Sequence, residues 1–371
     1  MRPNPGSTRV PLELPRWPRS QRGVLYIQPR LAILRGAMPK TVFITGVAGF
    51  MGSNLSRALL QRGDRVIGID NLSIGQPRNL EGVPNPQNLE FHEADVLDGE
   101  TVKRLSAPAD ILVHLAASKI PRYSSAMATL ITNTEGTKSV LEAARVTGAR
   151  AVIASTSDVY GKNPQLPFRE DSDLVIGPSY VRRWSYAISK AFDEHLAFAY
   201  EDTYKLPVTV LRFFGGYGPF EHRSFWGGPQ SVFIEAILSG GEIDIHGDGL
   251  QTRSFLFADD LIDGIVRAID HDDAAGEIFN IGSTDEISIL ELARVVQEVS
   301  GVGGEPRIKF VPYASFTKGY EDVRRRVPDI TKARTMLGFR PHVSLREGLA
   351  RTFAYHKSEI AAAQMAGTSA T

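Results

Sequence analysis

The sequence predicts an α/β protein: a doubly wound parallel sheet with helices on both faces, followed by a smaller C-terminal α/β lobe. Two observations predict it. From Lys40 to about residue 213, short strands that are apolar on both faces alternate with stretches of helical periodicity. A glycine triplet stands directly between the first of these strands and the first helix.

The elements follow in order. "TVFITG" (41–46) is a β-branched strand ending in glycine, and "MGSNLSRALLQRG" (51–63) is an amphipathic helix stopped by Gly63. "RVIGID" (65–70) is a second buried strand, and "EADVLD" (93–98) follows a short third one. "ILVHLAA" (111–117), "ARAVIAST" (149–156) and "LPVTVLRFF" (206–214) are further strands, with helical stretches such as "TEGTKSVLEAARVTG" (134–148) between them. After about residue 213 the pattern loosens, and "FGGYGPFEHRSFWGGPQ" (214–230) concentrates Gly, Pro and aromatic residues. The expected division is a nucleotide-binding domain at 38–212 with a returning segment around 251–284. A smaller lobe takes 213–250 and 285–358, and residues 359–371 are read as a flexible tail.

Bulk composition excludes several classes of function. The 371 residues carry 42 basic and 42 acidic side chains, so nothing points to nucleic acid or an anionic membrane as partner. A small anionic ligand stays compatible, because a local basic site does not need a basic protein. There is no cysteine, which excludes disulfides, thiolate metal sites and cysteine nucleophiles. No His/Asp cluster has metal-ligand spacing, so no metal is expected and a metal-dependent hydrolase fits poorly. No apolar run approaches the ~20 residues of a membrane span, and a cytoplasmic location is the expectation. Residues 1–37 are rich in Pro and Arg with Glu13 as their acid. They are read as a disordered extension or an over-long start, with Met38 as the working start.

The glycine loop points to a dinucleotide. In "TGVAGFMG", Gly46, Gly49 and Gly52 let the backbone turn tightly and approach a diphosphate at a helix N-terminus. Asp70 closes the next strand, where a carboxylate accepts both ribose hydroxyls of an adenosine and repels a 2′-phosphate. Asp70 and Asn71 therefore favour NAD over NADP, and Asp95 is a partner for the adenine amino group. The fold class is thus a Rossmann-type doubly wound sheet.

"SYAISKAFDEHLAFAY" (185–200) puts Tyr186 and Lys190 on one helix face. A free tyrosine titrates near about pH 10 and is a poor base at neutral pH. An adjacent ammonium and a positive nicotinamide ring are expected to lower that value. Tyr186 would then take a proton from a sugar or alcohol hydroxyl while hydride leaves the same carbon.

From about Thr41 to Tyr355 the chain resembles the extended short-chain dehydrogenase/reductases that modify nucleotide sugars. The resemblance is carried by "TGVAGFMG", "DN" at 70–71, "HLAASK" at 114–119, "STSDVYG" at 155–161 and "YAISK" at 186–190. "GDGLQTRSF" at 247–255 and "RRVPDITKARTMLGFRP" at 325–341 extend it. It implies NAD, bound tightly and regenerated within each cycle, and a homodimer paired through two helices per subunit. It implies Tyr186 as base, with Lys190 on the nicotinamide ribose and Thr156 on the reacting hydroxyl. It further implies cofactor contacts from Phe50, Met51, Val96, Leu115, Ala116, Ala117, Lys119, Asn133 and Ser155. On the substrate side it implies Ser157, with Arg253 and more weakly Arg326 on the nucleotide-sugar diphosphate.

The same resemblance frames the reaction. A 4-epimerase needs little beyond Tyr186 and Thr156. A 4,6-dehydratase carries Thr-Asp-Glu in this run, and Ser157 replaces its general acid. A UDP-glucuronate decarboxylase carries Ser-Thr-Ser-Glu, whereas this chain has Asp158, one methylene shorter. Asp158 is either catalytic or bonded to its own turn. The family's usual Asn after "RFF" is Gly215 here, which alters the pocket. Phe225 and Trp226 could stack on a base or sugar, or fill the lobe core. The leading expectation is an NAD-dependent nucleotide-sugar 4-epimerase acting on a UDP-hexose or UDP-hexuronate. A UDP-glucuronate decarboxylase is the rival, then a dehydratase. A non-catalytic NAD sensor is the rival of another class, and the Tyr186–Lys190 pair argues against it.

Overall fold

The computed structural model describes residues 38–119, 125–316, 322–365 and 367; the extension read at 1–37 lies outside the described residues. The first half contains β1 (Thr41–Thr45), α1 (Phe50–Arg62), β2 (Arg65–Asp70), β3 (Leu89–Glu93) and α2 (Gly99–Ser106). It continues with β4 (Ile111–His114), α3 (Ala126–Thr147), β5 (Arg150–Thr156), α4 (Trp184–Tyr204) and β6 (Val208–Phe213). Then come β7 (Gly216–Tyr217), α5 (Pro229–Leu238), β8 (Ile243–His246), β9 (Thr252–Ser254), β10 (Leu256–Phe257) and α6 (Ala258–Asp270). The chain closes with β11 (Glu277–Ile281), β12 (Glu286–Ser288), α7 (Ile289–Ser300), β13 (Ile308–Val311), β14 (Arg325–Arg326), α8 (Thr331–Met336) and α9 (Leu345–Met365).

Seven strands form one parallel sheet in the order β11-β6-β5-β4-β1-β2-β3. The order reverses between β1 and β4, which places a crevice at the carboxyl ends of those strands. Both faces are covered, as strands apolar on both sides require. Leu55 and Leu59 of α1 pack with Leu261 and Ile265 of α6 on one face. Val140 and Leu141 of α3 pack with Ala197 and Tyr200 of α4 on the other. Burying each such aliphatic side chain stabilises the fold by roughly 2 kcal/mol. A separate apolar cluster from α5, β8, α7 and α9 forms the core of the smaller lobe, with Phe233, Ile245, Leu292 and Phe353 fully or nearly buried.

Local chemistry sets the element ends. Gly63 and Gly148 end α1 and α3 in the left-handed region, with φ of 100° and 75°. The Ala-rich stretch after residue 358 does not fray at once: α9 runs on to Met365, in keeping with alanine's high helix propensity. Gly215 has φ of +51°, and a β-carbon there would lie 2.1 Å from the Ser254 carbonyl oxygen. The backbone at this point therefore excludes the asparagine that the resemblance led one to expect.

A buried ionic network fixes α4 to the sheet. Glu194 accepts from Arg212 at 2.6 and 2.9 Å and from Ser155 at 2.5 Å. Arg212 also donates to the Tyr160 hydroxyl at 2.9 Å, which in turn donates to Asn280 at 2.7 Å. Four elements, α4, β5, β6 and β11, are thereby locked together below the crevice. Glu194→Gln strands the Arg212 charge in this dry site and should lower unfolding free energy by about 3 kcal/mol. Denaturant melts of the two proteins check it.

Candidate active site

The glycine loop has the shape that a diphosphate needs. Gly46 has φ of +72°, and a β-carbon there would sit 2.9 Å from the Ala116 amide nitrogen. A β-carbon on Gly52 would lie 2.2 Å from the Gly46 carbonyl oxygen. These contacts bring the start of α1 hard against the end of β1. Gly49 opens α1 with no side-chain cap, so its first-turn amides and dipole are left for an anion. A cavity of about 340 Å³ borders Gly46, Gly49, Phe50, Met51 and Gly52, with Leu115, Ala117, Lys119 and Tyr186 further along it.

Asp70 sits at the β2 end, accepting from the backbone amides of Ala48 at 3.0 Å and Leu72 at 2.9 Å. Burial raises its pKa, and these amides pull it back. Asn71 donates to Asp95 at 2.9 Å, so the structure does bring these two together, but Asp95 already has a partner. Val96 and Asn133 are buried. Asn133 bonds the Ser118 amide at 2.8 Å, the Ser118 carbonyl at 3.1 Å and the Ser189 hydroxyl at 2.9 Å. It pins the loop after β4 to α4 and works on the cavity through that loop. Ser155, read as a cofactor contact, borders a second cavity and gives its hydroxyl to Glu194.

Tyr186 and Lys190 share one face of α4 but not one environment. Lys190 is 2% exposed and pairs with Asp193 at 2.8 Å. Burial raises the Asp193 pKa, with Lys190 opposing. Nearby His114 is buried, with Nδ1 2.8 Å from the Thr45 hydroxyl, and burial together with Lys190 pushes its pKa down to about 3. Tyr186 faces the cavities. Its phenol is raised above its ordinary range, first by burial and then by Asp158, while the Thr156 hydroxyl and Arg326 oppose. The expected lowering rests on Lys190 together with a positive nicotinamide ring; within the protein alone burial leads, Lys190 is paired with Asp193, and Arg326 is a cation that pulls the phenol down.

A second cavity, of about 380 Å³, adjoins the first, and Phe50, Met51, Lys119, Tyr186 and Trp226 border both. Its wall carries Thr156, Ser157, Asp158, Arg253 and Arg326, all brought together as expected. It also carries Arg183 and Asp322, which sequence reasoning missed. Asp158 lies 2.9 Å from Arg326 and 3.3 Å from Arg183. Asp322 lies 2.6 Å from Arg183 and 2.9 Å from Arg253. Burial opposes both charges, but the three arginines outweigh it and hold both carboxyls below their usual range. Arg326 is itself lowered to about 10, by burial and by Arg253 and Arg183 against the pull of Asp158 and Asp322. Three guanidiniums meet two carboxylates in this network, and Lys119 and Asp244 also line the cavity, so its formal charges leave one positive charge in surplus. The signal for Arg183 was the basic pair just before the Tyr–Lys helix; Asp322 had none.

Phe225 and Trp226 both border the second cavity, and Phe225 stacks on His246 with centroids 4.8 Å apart. Lys119 is open to the cavity but closely surrounded, and that crowding lowers its pKa, with Glu221 and Asp158 opposing. Among the described residues no helix is long and apolar enough to cross a membrane, and no His/Cys/Asp/Glu group could hold a metal ion.

Sheet, glycine cradle and Tyr–Lys face together define a dinucleotide-dependent enzyme class. Residues 42–282 match the model of the NAD dependent epimerase/dehydratase family, and the chain belongs to that family. Its cofactor is NAD, which the cradle of Gly46, Gly49 and Gly52 fits. The chain is 36% identical to a UDP-N-acetyl-alpha-D-glucosaminuronate decarboxylase of Bacillus cytotoxicus, over 86% of this chain and 98% of that protein. It is 34% identical to a UDP-glucose 4-epimerase of Mycolicibacterium smegmatis, over 85% and 98%. Among solved structures, UDP-glucuronic acid 4-epimerase from Bacillus cereus, in complex with UDP-glucuronic acid and NAD, superposes with a TM-score of 0.75. It is 29% identical, covering 86% of this chain and 99% of that one.

Glu221, beside Lys119, is buried and takes hydrogen bonds from Ser231 at 2.8 Å and Gln230 at 3.2 Å. Burial pushes it up to about 8, with Lys119 opposing first. The folded chain therefore holds a proton that the unfolded chain releases near about pH 4.5. That contribution to stability is present below about pH 4.5 and is lost as pH rises towards about 8. Glu221→Gln should flatten this fall, read as a smaller drop in melting temperature between about pH 5 and pH 8.

Proposed function

We propose that the protein is an NAD-dependent UDP-hexuronate decarboxylase that works through a 4-keto sugar. The observation that carries this is the surplus positive charge of Arg183, Arg253 and Arg326 on the same wall as Tyr186 and Thr156. The diphosphate of a nucleotide sugar accounts for Arg253. Arg326 and Arg183 share the one carboxylate of Asp158, and two planar guanidiniums on one carboxylate suit a second carboxylate from the substrate. Similarity to a decarboxylase over nearly its whole length supports the same reading. The weight thus moves from the epimerase, expected first, to its rival.

NAD, which the cradle of Gly46, Gly49 and Gly52 would hold, would supply reversible hydride exchange at C4 of the sugar. Because the phenol is raised in the protein alone, Tyr186 takes the C4 hydroxyl proton once the positive nicotinamide ring favours its phenolate, while Thr156 orients that hydroxyl. The resulting ketone makes the C6 carboxylate a β-keto acid. The C5–C6 bonding electrons pass into the C4 carbonyl as carbon dioxide leaves, and the Tyr186 and Thr156 hydroxyls stabilise the enolate oxygen. A proton added at C5 restores the ketone before reduction, so one proton is consumed overall.

A 4-epimerase is the second reading, and one observation favours it. Asp158 already occupies Arg183 and Arg326, so those charges are met without a substrate carboxylate. Incubation with UDP-glucuronate and its N-acetylamino analogue separates the two: carbon dioxide and a UDP-pentose are expected, whereas a C4-inverted uronate would sink the decarboxylase. Tyr186→Phe should retain NAD and lose turnover by ~10²-fold or more.

We also read the outer faces of α3 and α4 as a subunit interface. Met127 and Ile131 on α3, and Ile188 and Phe192 on α4, are large apolar side chains exposed on adjacent helices. Sedimentation at micromolar concentration should give twice the chain mass, and Phe192→Glu should give the monomer.

A further inference from the structure

The cavity beside the glycine loop has an outer wall made by the turn after β7 and by α9. Tyr355, His356 and Glu359 of α9 border the same space as Gly46, Gly49 and Gly52, with Arg78, His222 and Arg223 alongside. This wall is fastened to α1. Tyr355 meets Phe220 edge-on at 5.3 Å, and the Arg57 guanidinium lies 4.6 Å from the Phe220 ring centroid. Asn54, also on α1, donates to the Pro219 carbonyl at 3.0 Å. Glu359 faces Arg78 at 3.8 Å, and Arg223 pairs with Glu235 at 3.2 Å. The helix whose uncapped N-terminus opens on the cavity therefore also holds the wall across from it.

His356 is the informative residue. It is 2% exposed, borders the cavity, and its Nε2 has no hydrogen-bond partner among the described residues. Leaving a buried nitrogen unpaired costs about 1–3 kcal/mol, which a ligand oxygen can offset. Burial, then Arg223, Arg78 and His222, lower its pKa to about 3, so the ring is neutral and Nε2 can carry a proton to donate. Arg78 and Arg223 bring positive charge to the same space, with Glu359 and Glu235 beside them as partners. Donors and cations opposite a glycine cradle suit a ligand rich in anionic oxygens.

We propose that α9 is the outer wall of the cofactor site, with His356 donating to the NAD diphosphate and Arg78 and Arg223 neutralising it. The Glu359–Arg78 pair holds the helix over the bound dinucleotide. The cofactor then leaves only when the end of α9 lifts, which keeps it in place while it is reduced and reoxidised within one cycle.

The test reads release of radiolabelled NAD from the full-length protein under a chase of unlabelled NAD, with no sugar present. Removing one hydrogen bond to a charged group should speed release about tenfold in His356→Leu and in Arg78→Ala. His356→Asn, which keeps a donor, should stay near the wild-type rate. Arg78 is half exposed, so Arg78→Ala leaves the core intact and decides the matter if His356→Leu does not fold. Wild-type release from Arg78→Ala, or from a folded His356→Leu, overturns the proposal. Because no sugar takes part, this outcome is independent of which nucleotide sugar is turned over.

Discussion

The active site depends on one buried ion pair. Glu194 and Arg212 meet where α4 crosses the ends of β5 and β6, with side chains 5% and 4% exposed. An uncompensated charge in such a place is costly, so the pair must form whenever the sheet and α4 assemble. Its geometry fixes the rotation of α4 about its own axis. Tyr186 lies two turns before Glu194 on that helix, and Thr156 ends the strand next to Arg212. The orientation of the proposed base over the hydroxyl run thus follows from a contact that takes no part in the chemistry.

The same helix shows how position along a turn separates roles. Lys190 points into the protein and is balanced by Asp193, whereas Tyr186 opens on both cavities. The lysine pairs locally with Asp193, and a cation that lowers the phenol, Arg326, comes from β14, far along the chain. The positive wall of the substrate cavity is likewise assembled from distant segments. Arg183 precedes α4, Arg253 lies in β9 and Arg326 in β14, and each is held by Asp158 or Asp322. Carboxylates in this arrangement fix the planes of the guanidiniums before any substrate arrives.

Much of this was legible in the sequence because it is encoded at short range. The glycine spacing of 46, 49 and 52, the Tyr–Lys pair one turn apart, and the strand-ending Asp70 each reveal a local geometry. The expected sheet and its flanking helices follow from the same kind of signal. What was not legible is pairing. Lys190 has two short-range candidates on its helix, Tyr186 one turn before and Asp193 three residues after, and sequence spacing alone does not choose between them. Nothing marked Asp322 as the anchor of two arginines 139 and 69 residues away. His356 carries no signal in the sequence; the fold alone sets it on the cavity that borders the glycine loop.

The sequence by itself determined a parallel sheet, a dinucleotide cradle at its switch point and a tyrosine on a helix face, since each needs only backbone geometry and a few neighbouring side chains. The tertiary structure alone decided which charges meet. Coulomb interactions and desolvation depend on distance in space, and the chain brings together groups that lie far apart in sequence. That is why the direction of the Tyr186 shift, the surplus charge on the substrate wall and the partnerless nitrogen of His356 came into view only in the folded molecule.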